Sequence, residues 1–222
     1  MVLIKKGISV KPPNEPWIPI EDNDEEAVIA YYISDSKTKI PIRDVTHRND
    51  PKADPNIETM TFGLFSYCHE QMRKSMIDNG INLLYFSTRR LKEVEEDGNK
   101  KIEGLRVLTG FYRIGWYYQV EEDDYMLAGK KCKFVNPGFP LIDLTEYLRG
   151  DSLISGFLQW KYLKNETSML LMKLFDQTPD SSKLYVEEIK RLEKYALDEY
   201  GFMYRKREHG FSWDDAPKVM KL

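Results

Sequence analysis

Hydrophobic and polar positions change period along this chain, and the change divides it. From residue 26 the run EAVIAYYIS is apolar, β-branched and aromatic, and SDSKTK follows it as turn chemistry. This predicts a strand over 26–34, with IPIRDV (40–45) as its hairpin partner. INLLYFS (81–87) is a short apolar run bounded by Gly80, the length of a buried strand. A charged stretch follows, with Asp97-Gly98-Asn99 at its centre, a hairpin signal between strand-like flanks. RVLTGFYRIGWYYQV (106–120) then reads as a long strand or strand pair, with Gly110 and Gly115 marking bulges or close backbone approaches.

Helical spacing governs other stretches. Cys68, Met72 and Met76 recur at i, i+4, i+8, which predicts a helix from Ser66 to about Asn79 with Gly80 as its stop. That helix turns Cys68 inward and His69 outward. After residue 140 the helical period dominates. LTEYLR carries a variant capping box and ends at Gly150, and ETSMLLMKLF is a compact apolar helix. Tyr185, Ile189, Leu192, Ala196 and Tyr200 mark a helix over 183–200, stopped by Gly201. Before all of this, four prolines between residues 12 and 19 make an extended arm, which Trp17 and Ile18 anchor. Residues 47–58 read as an exposed loop. The expected architecture is α+β: a mainly antiparallel, curved β core over 1–140 and a helical region over 141–222 packed on it.

Composition narrows the function classes. The 222 residues carry 33 Lys and Arg against 36 Asp and Glu, a net charge of −3, which excludes a broadly cationic coater of nucleic acid. Two cysteines, Cys68 and Cys132, make neither a disulfide framework nor a zinc site and read as reduced, buried thiols. No apolar run approaches a membrane span and the N-terminus has no signal-peptide core, so a cytoplasmic protein without membrane contact is expected.

The common catalytic signatures are missing. There is no Gly-x-Ser-x-Gly, Gly-x-x-x-x-Gly-Lys, Gly-x-Gly-x-x-Gly, His-x-x-x-His or Cys-x-x-Cys, and no cofactor is expected. For a metal-dependent nucleic-acid-processing enzyme, His47 with Asp44 or Asp50 is the first pair to test. What stands out is aromatic. Phe111, Tyr112, Trp116, Tyr117 and Tyr118 crowd one segment with Arg113 among them. Strand alternation puts Arg113 on the face of Phe111, which places an arginine in a core layer unless that face opens into a cleft.

NLLYFSTRR, the charged insert and RVLTGFYRIGWYY together resemble the centre of PUA-like domains of the EVE, YTH and ASCH type, over about residues 59–136. Thr61-Phe62-Gly63 resembles the entry to that core. The resemblance implies a small curved pseudo-barrel that binds RNA, DNA or a modified nucleotide in a cleft. Carried over, Tyr85, Ser87 and Thr88 would sit at the cleft-facing strand end, and Tyr112, Arg113 and Trp116 would approach from the neighbouring strand. Arg89 and Arg90 would meet phosphate at the rim. The expected function is therefore non-enzymatic nucleic-acid or modified-nucleotide binding. The alternatives are a protein–protein interaction module acting through helix 183–200 and the basic run Tyr204-Arg205-Lys206-Arg207, and the metal-dependent enzyme.

Overall fold

The computed structural model describes residues 8–9, 17–21, 23, 26–35, 38–43, 54–63, 69–96, 99–144 and 159–200, and all structural statements concern these. The strands are β1 (Ile8–Ser9), β2 (Ile18–Pro19), β3 (Ala27–Tyr31), β4 (Thr61–Phe62), β5 (Leu83–Glu96), β6 (Asn99–Glu121), β7 (Asp124–Pro140) and β8 (Trp160–Leu163). The helices are α1 (Glu70–Asp78), α2 (Asn165–Gln177) and α3 (Ser182–Tyr200), with a short 3-10 turn at Leu141–Leu144.

Eight strands form one sheet in the order β1-β7-β6-β5-β3-β8, with β2 added to β6 and β4 to β7. Every pairing is antiparallel except β3 with β5, where the chain crosses over through α1. The α+β class and the antiparallel bias stand. The pseudo-barrel does not, because no described pairing joins the ends of the path and the sheet stays open.

Both faces of the sheet are covered. Val28, Ala30, Leu84, Phe86, Tyr112, Ile114, Cys132 and Phe134 meet Met72 and Met76 of α1 and Tyr185, Val186, Ile189 and Leu192 of α3. On the other face Ala27, Ile29, Leu83, Tyr85, Leu108, Phe111 and Val135 meet Leu171 and Phe175 of α2 and Leu141 and Leu144. Burial on two sides explains why 27–30 and 83–86 read as unbroken apolar runs.

Several expectations change for physical reasons. The strand at 26–34 does not pair with 40–45; only an isolated bridge joins Ser34 and Arg43. Its partners are the longer apolar strands β5 and β8, which bury it on both faces. Asp54, Asn56 and Ile57, expected in an exposed loop, are buried. α1 starts at Glu70, and His69 holds a left-handed backbone (φ 65°) at its N-cap. His69 packs on Phe62, with ring centroids 5.9 Å apart, so it is half-buried where the helical reading turned it to solvent. Trp17 anchors its segment against Tyr118, whereas Ile18 is exposed. The boundary at residue 140 does not separate strands from helices, since Trp160–Leu163 is a sheet strand. The apolar stripe of α3 is spent on the sheet, leaving Leu184 and Tyr195 as its exposed large apolar residues among those described. Cys68, His47, Asp44, Asp50, the predicted helix 144–149 beyond Leu144, and 204–207 lie outside the described residues.

Buried charge is matched locally. Arg43, fully buried, donates Nη1 and Nη2 to Glu58 at 2.8 and 2.6 Å, and Nη2 also to Glu193 of α3 at 2.8 Å. Arg73 of α1 donates to Asp124 at the start of β7 at 2.8 Å. Removing one member of such a pair strands the other, at a cost of about 3–5 kcal/mol.

At Gly110 the neighbouring strand leaves no room for a side chain. A Cβ there would lie 2.5 Å from Phe134 Cδ1 and 2.6 Å from the Lys133 carbonyl. Gly110→Ala is therefore expected to destabilise the fold by about 2 kcal/mol through overpacking. Urea unfolding measures this, and an unchanged midpoint would refute the close approach.

Candidate functional site

The aromatic and polar residues singled out in the sequence do not assemble into one cleft. Pleating sends Tyr85 and Tyr112 to opposite faces, because their cross-strand partners are Phe111 and Leu84 respectively. Tyr85 is fully buried between Phe111 and Phe175, ring centroids 6.1 and 6.0 Å away, and donates its hydroxyl to the Ser168 carbonyl at 2.8 Å. Tyr112 is fully buried against Phe86 (4.6 Å) and Phe134 (5.9 Å). Neither ring can stack a ligand while the core stays closed. Ser87 and Thr88 are buried too, donating to the carbonyls of Ala30 and Tyr32. Their hydroxyls tie β5 to β3. Trp116 is half-buried opposite Ala128 and Pro19. The side chain of Arg90 lies outside the described residues.

The arginines fall in two places. Arg89, exposed, stands directly across from Arg106, whose guanidinium lies over the Tyr31 ring at 5.0 Å. Arg113 lies farther down the hairpin, near the other end of β5. There it is half-buried, and it lines a groove of about 500 Å³ between the sheet and α2. On the face of Phe111, Arg113 thus borders an open groove that holds none of the expected aromatic rings.

Two adjacent strands supply the floor of this groove, β5 through Leu83 and β6 through Arg113. Leu83 of β5 pairs with Arg113 of β6, and Arg113 pairs with Lys131 of β7, so the three lie in one row across the sheet. The wall is one face of α2: Asn165, Ser168, Met169, Met172, Lys173 and Asp176 recur at i, i+3, i+4, i+7, i+8, i+11. The helix crosses the strands. Its first turns receive the Tyr85 hydroxyl from β5, and its last turn receives Lys133 Nζ of β7 at the Phe175 carbonyl. The β5 end of the groove thus meets the start of α2 and the β7 end meets its finish.

Electrostatics follow that direction. Burial pushes the Lys131 ammonium below the usual lysine range; Asp176 and Asp180 oppose this, and Arg113 adds to it. Lys173 and Asp176 are exposed at the same end. At the other end Ser168 is 1% exposed, and its Oγ has no hydrogen-bond partner. A buried hydroxyl without a partner is costly, so this atom is primed for a polar group entering the groove. The groove was only half legible in the sequence. Arg113 was a signal, and Thr167-Ser168 interrupting the apolar face of α2 was a second one, unread.

Among the described residues no cluster of three metal-ligating side chains occurs, and no described helix is long and apolar enough to cross a membrane. Compared with known proteins, the chain matches no family model, no curated protein and no solved structure.

His69 supplies a pH readout for the fold near Tyr31. Burial pushes its imidazole down to about 4 from 6.5, against a hydrogen bond with the Tyr31 backbone. Between pH 6.5 and 4 the unfolded chain binds a proton that the folded one refuses. The stabilisation is complete above 6.5 and is lost as pH falls through that window, at up to about 1.4 kcal/mol per pH unit. His69→Asn keeps a residue that tolerates the left-handed backbone. Its unfolding free energy should fall less steeply over this window than wild type's, and parallel curves would refute the buried neutral imidazole.

Proposed function

We propose that the protein is a ligand-binding protein that takes a small organic anion in the groove under α2. The observation that carries this is Arg113. It stands on a core-facing side of β6, yet it lines a cavity with Lys131 across from it and Lys173 above. Two lining cations, Arg113 and Lys173, face one lining carboxylate, Asp176, so the groove has a net positive charge on a chain whose own charge is −3. Leu83, Met169 and Met172 add apolar wall. Sites for small ligands combine such walls with a few placed polar groups, within about 300–1,000 Å³. Thermal unfolding with a panel of organic anions and their neutral analogues tests the reading. The anions should raise the melting temperature and the neutral analogues should not, and Arg113→Ala should abolish the effect. Equal shifts for charged and neutral compounds would overturn it.

A second reading keeps nucleic acid as the ligand and rests on Arg89. Like charges directly opposite on two strands are unfavourable, and a phosphate between Arg89 and Arg106 relieves the repulsion. The Tyr31 ring beneath Arg106 offers a flat surface beside them. Fluorescence anisotropy with labelled single-stranded RNA and DNA at low and raised salt decides it. Binding should weaken with salt and disappear in the Arg89→Ala, Arg106→Ala double variant. Salt-independent binding, or binding that survives the double substitution, would rule this surface out.

A further inference from the structure

Charge and apolar surface both limit what the groove under α2 can hold. Among its lining side chains Arg113 and Lys173 oppose Asp176, which leaves one positive charge. Arg113 is already engaged within the chain, so one is the most the lining offers. Lys131, beside Arg113 on β7, lies outside the lining and is offset by Asp176 and Asp180. A singly charged ligand leaves the groove neutral. A dianion leaves it negative, on a chain whose own charge is −3.

Asp176 is unfavourable for the helix that carries it. It stands in the last turn of α2, a turn with no basic residue. The aligned carbonyls there make a negative pole that favours a cation and opposes a carboxylate. Asp176 nevertheless faces the groove. Its charge and the pole of α2 act together on a ligand's head group, and they repel two charges twice as strongly as one.

The apolar side of the groove defines the body of the ligand. Met169 is 63% exposed, the most of any large apolar side chain among the described residues. It lines the groove with Met172, three residues on, and with Leu83 at the base. Apolar surface in a concave site is covered by the hydrocarbon of a ligand, and flexible thioethers adapt to its shape. A guanidinium carries five N–H donors and matches a carboxylate with two of them, so Arg113 has donors for a carboxylate beside its present contact.

We infer that the groove takes a monocarboxylate with an apolar body, and that Asp176 is the specificity-determining residue that turns dianions away. The carboxylate lies at Arg113 and Lys173, and the body lies along Leu83, Met169 and Met172. This rests on the reading of the groove as an anion site and adds the charge of the head group, the apolar body and the residue that selects between charges.

Isothermal titration of the full chain at about pH 8 with benzoate, phenyl phosphate and acetate tests it. Phosphate monoesters have a second pKa of about 6, so phenyl phosphate is then a dianion on the same ring as benzoate. Benzoate should bind at least about threefold more tightly than phenyl phosphate and at least about tenfold more tightly than acetate. Asp176→Asn should tighten benzoate about threefold and phenyl phosphate about tenfold, because the lost repulsion counts twice for a dianion. Met169→Ser should weaken benzoate and leave acetate unchanged. Circular dichroism and the urea midpoint establish that each variant is folded. Phenyl phosphate binding wild type as tightly as benzoate overturns the single-charge inference and leaves the anion site standing. Equal shifts of the two ligands in Asp176→Asn, or no shift, make Asp176 a structural residue and overturn its selective role. Benzoate binding no better than acetate overturns the apolar body. If none of the three binds, or Arg113→Gln leaves benzoate binding unchanged, the anion site fails as well.

Discussion

Leu83, Leu84, Tyr85 and Phe86 are consecutive, all buried, and point alternately to the two faces of the sheet. That double burial of the central strands is the constraint on which the other parts depend. A sheet covered on one side would leave Leu83 and Tyr85, or Leu84 and Phe86, in water. Burying a side chain of this size contributes about 1.5–3 kcal/mol, so both layers must be roofed. α1 and α3 roof one and α2 roofs the other. β3 is drawn between β5 and β8 for the same reason, since Ala27 to Ile29 are fully buried on both sides.

The cations buried in and beside these layers are held by partners. Arg43 is held by Glu58 and by Glu193 of α3, which ties the helix to a segment far away in sequence. Lys133 reaches the Phe175 carbonyl, and Tyr85 reaches the Ser168 carbonyl, so two strands fasten α2 by hydrogen bonds as well as by apolar contact. The groove opens where this apolar layer ends. Beyond Phe111 on that face come Arg113 and, across from it, Lys131, and neither can be sealed under a helix without cost. The side of α2 over them carries Asn165, Ser168 and Lys173 in place of Leu171 and Phe175.

How much was legible can be argued from single residues. α2 and α3 were readable from apolar period, and β5 and β6 from apolar runs, because those signals are local. Gly110 and Gly115 were readable as irregularities, and the strand register shifts beside both. The Asp97-Gly98 turn lies outside the described residues, but Glu96 pairs with Asn99 on either side of it. Tyr85 and Tyr112 were misjudged as one cleft because aromatic rings look alike in sequence whether they stack a ligand or a core. Their separation came from a one-residue difference in pleat. Asp54 and Asn56 were misjudged because a polar, proline-flanked stretch reads as exposed. Here Asp54 accepts from Asn56 and from the Gly63 amide, and those bonds hold it inside.

By itself the sequence determined α2, α3, β5 and β6, the α+β class and the oddity of Arg113, since period, turn chemistry and alternation act over a few residues. Only the tertiary structure decided which strand lies beside which, that the sheet stays open with helices on both faces, and that Arg113 lines a groove beneath α2. Those outcomes depend on contacts between residues far apart in the chain. Arg113 and Ser168 are 55 positions apart, and only the packing of α2 across the sheet puts them on the same groove.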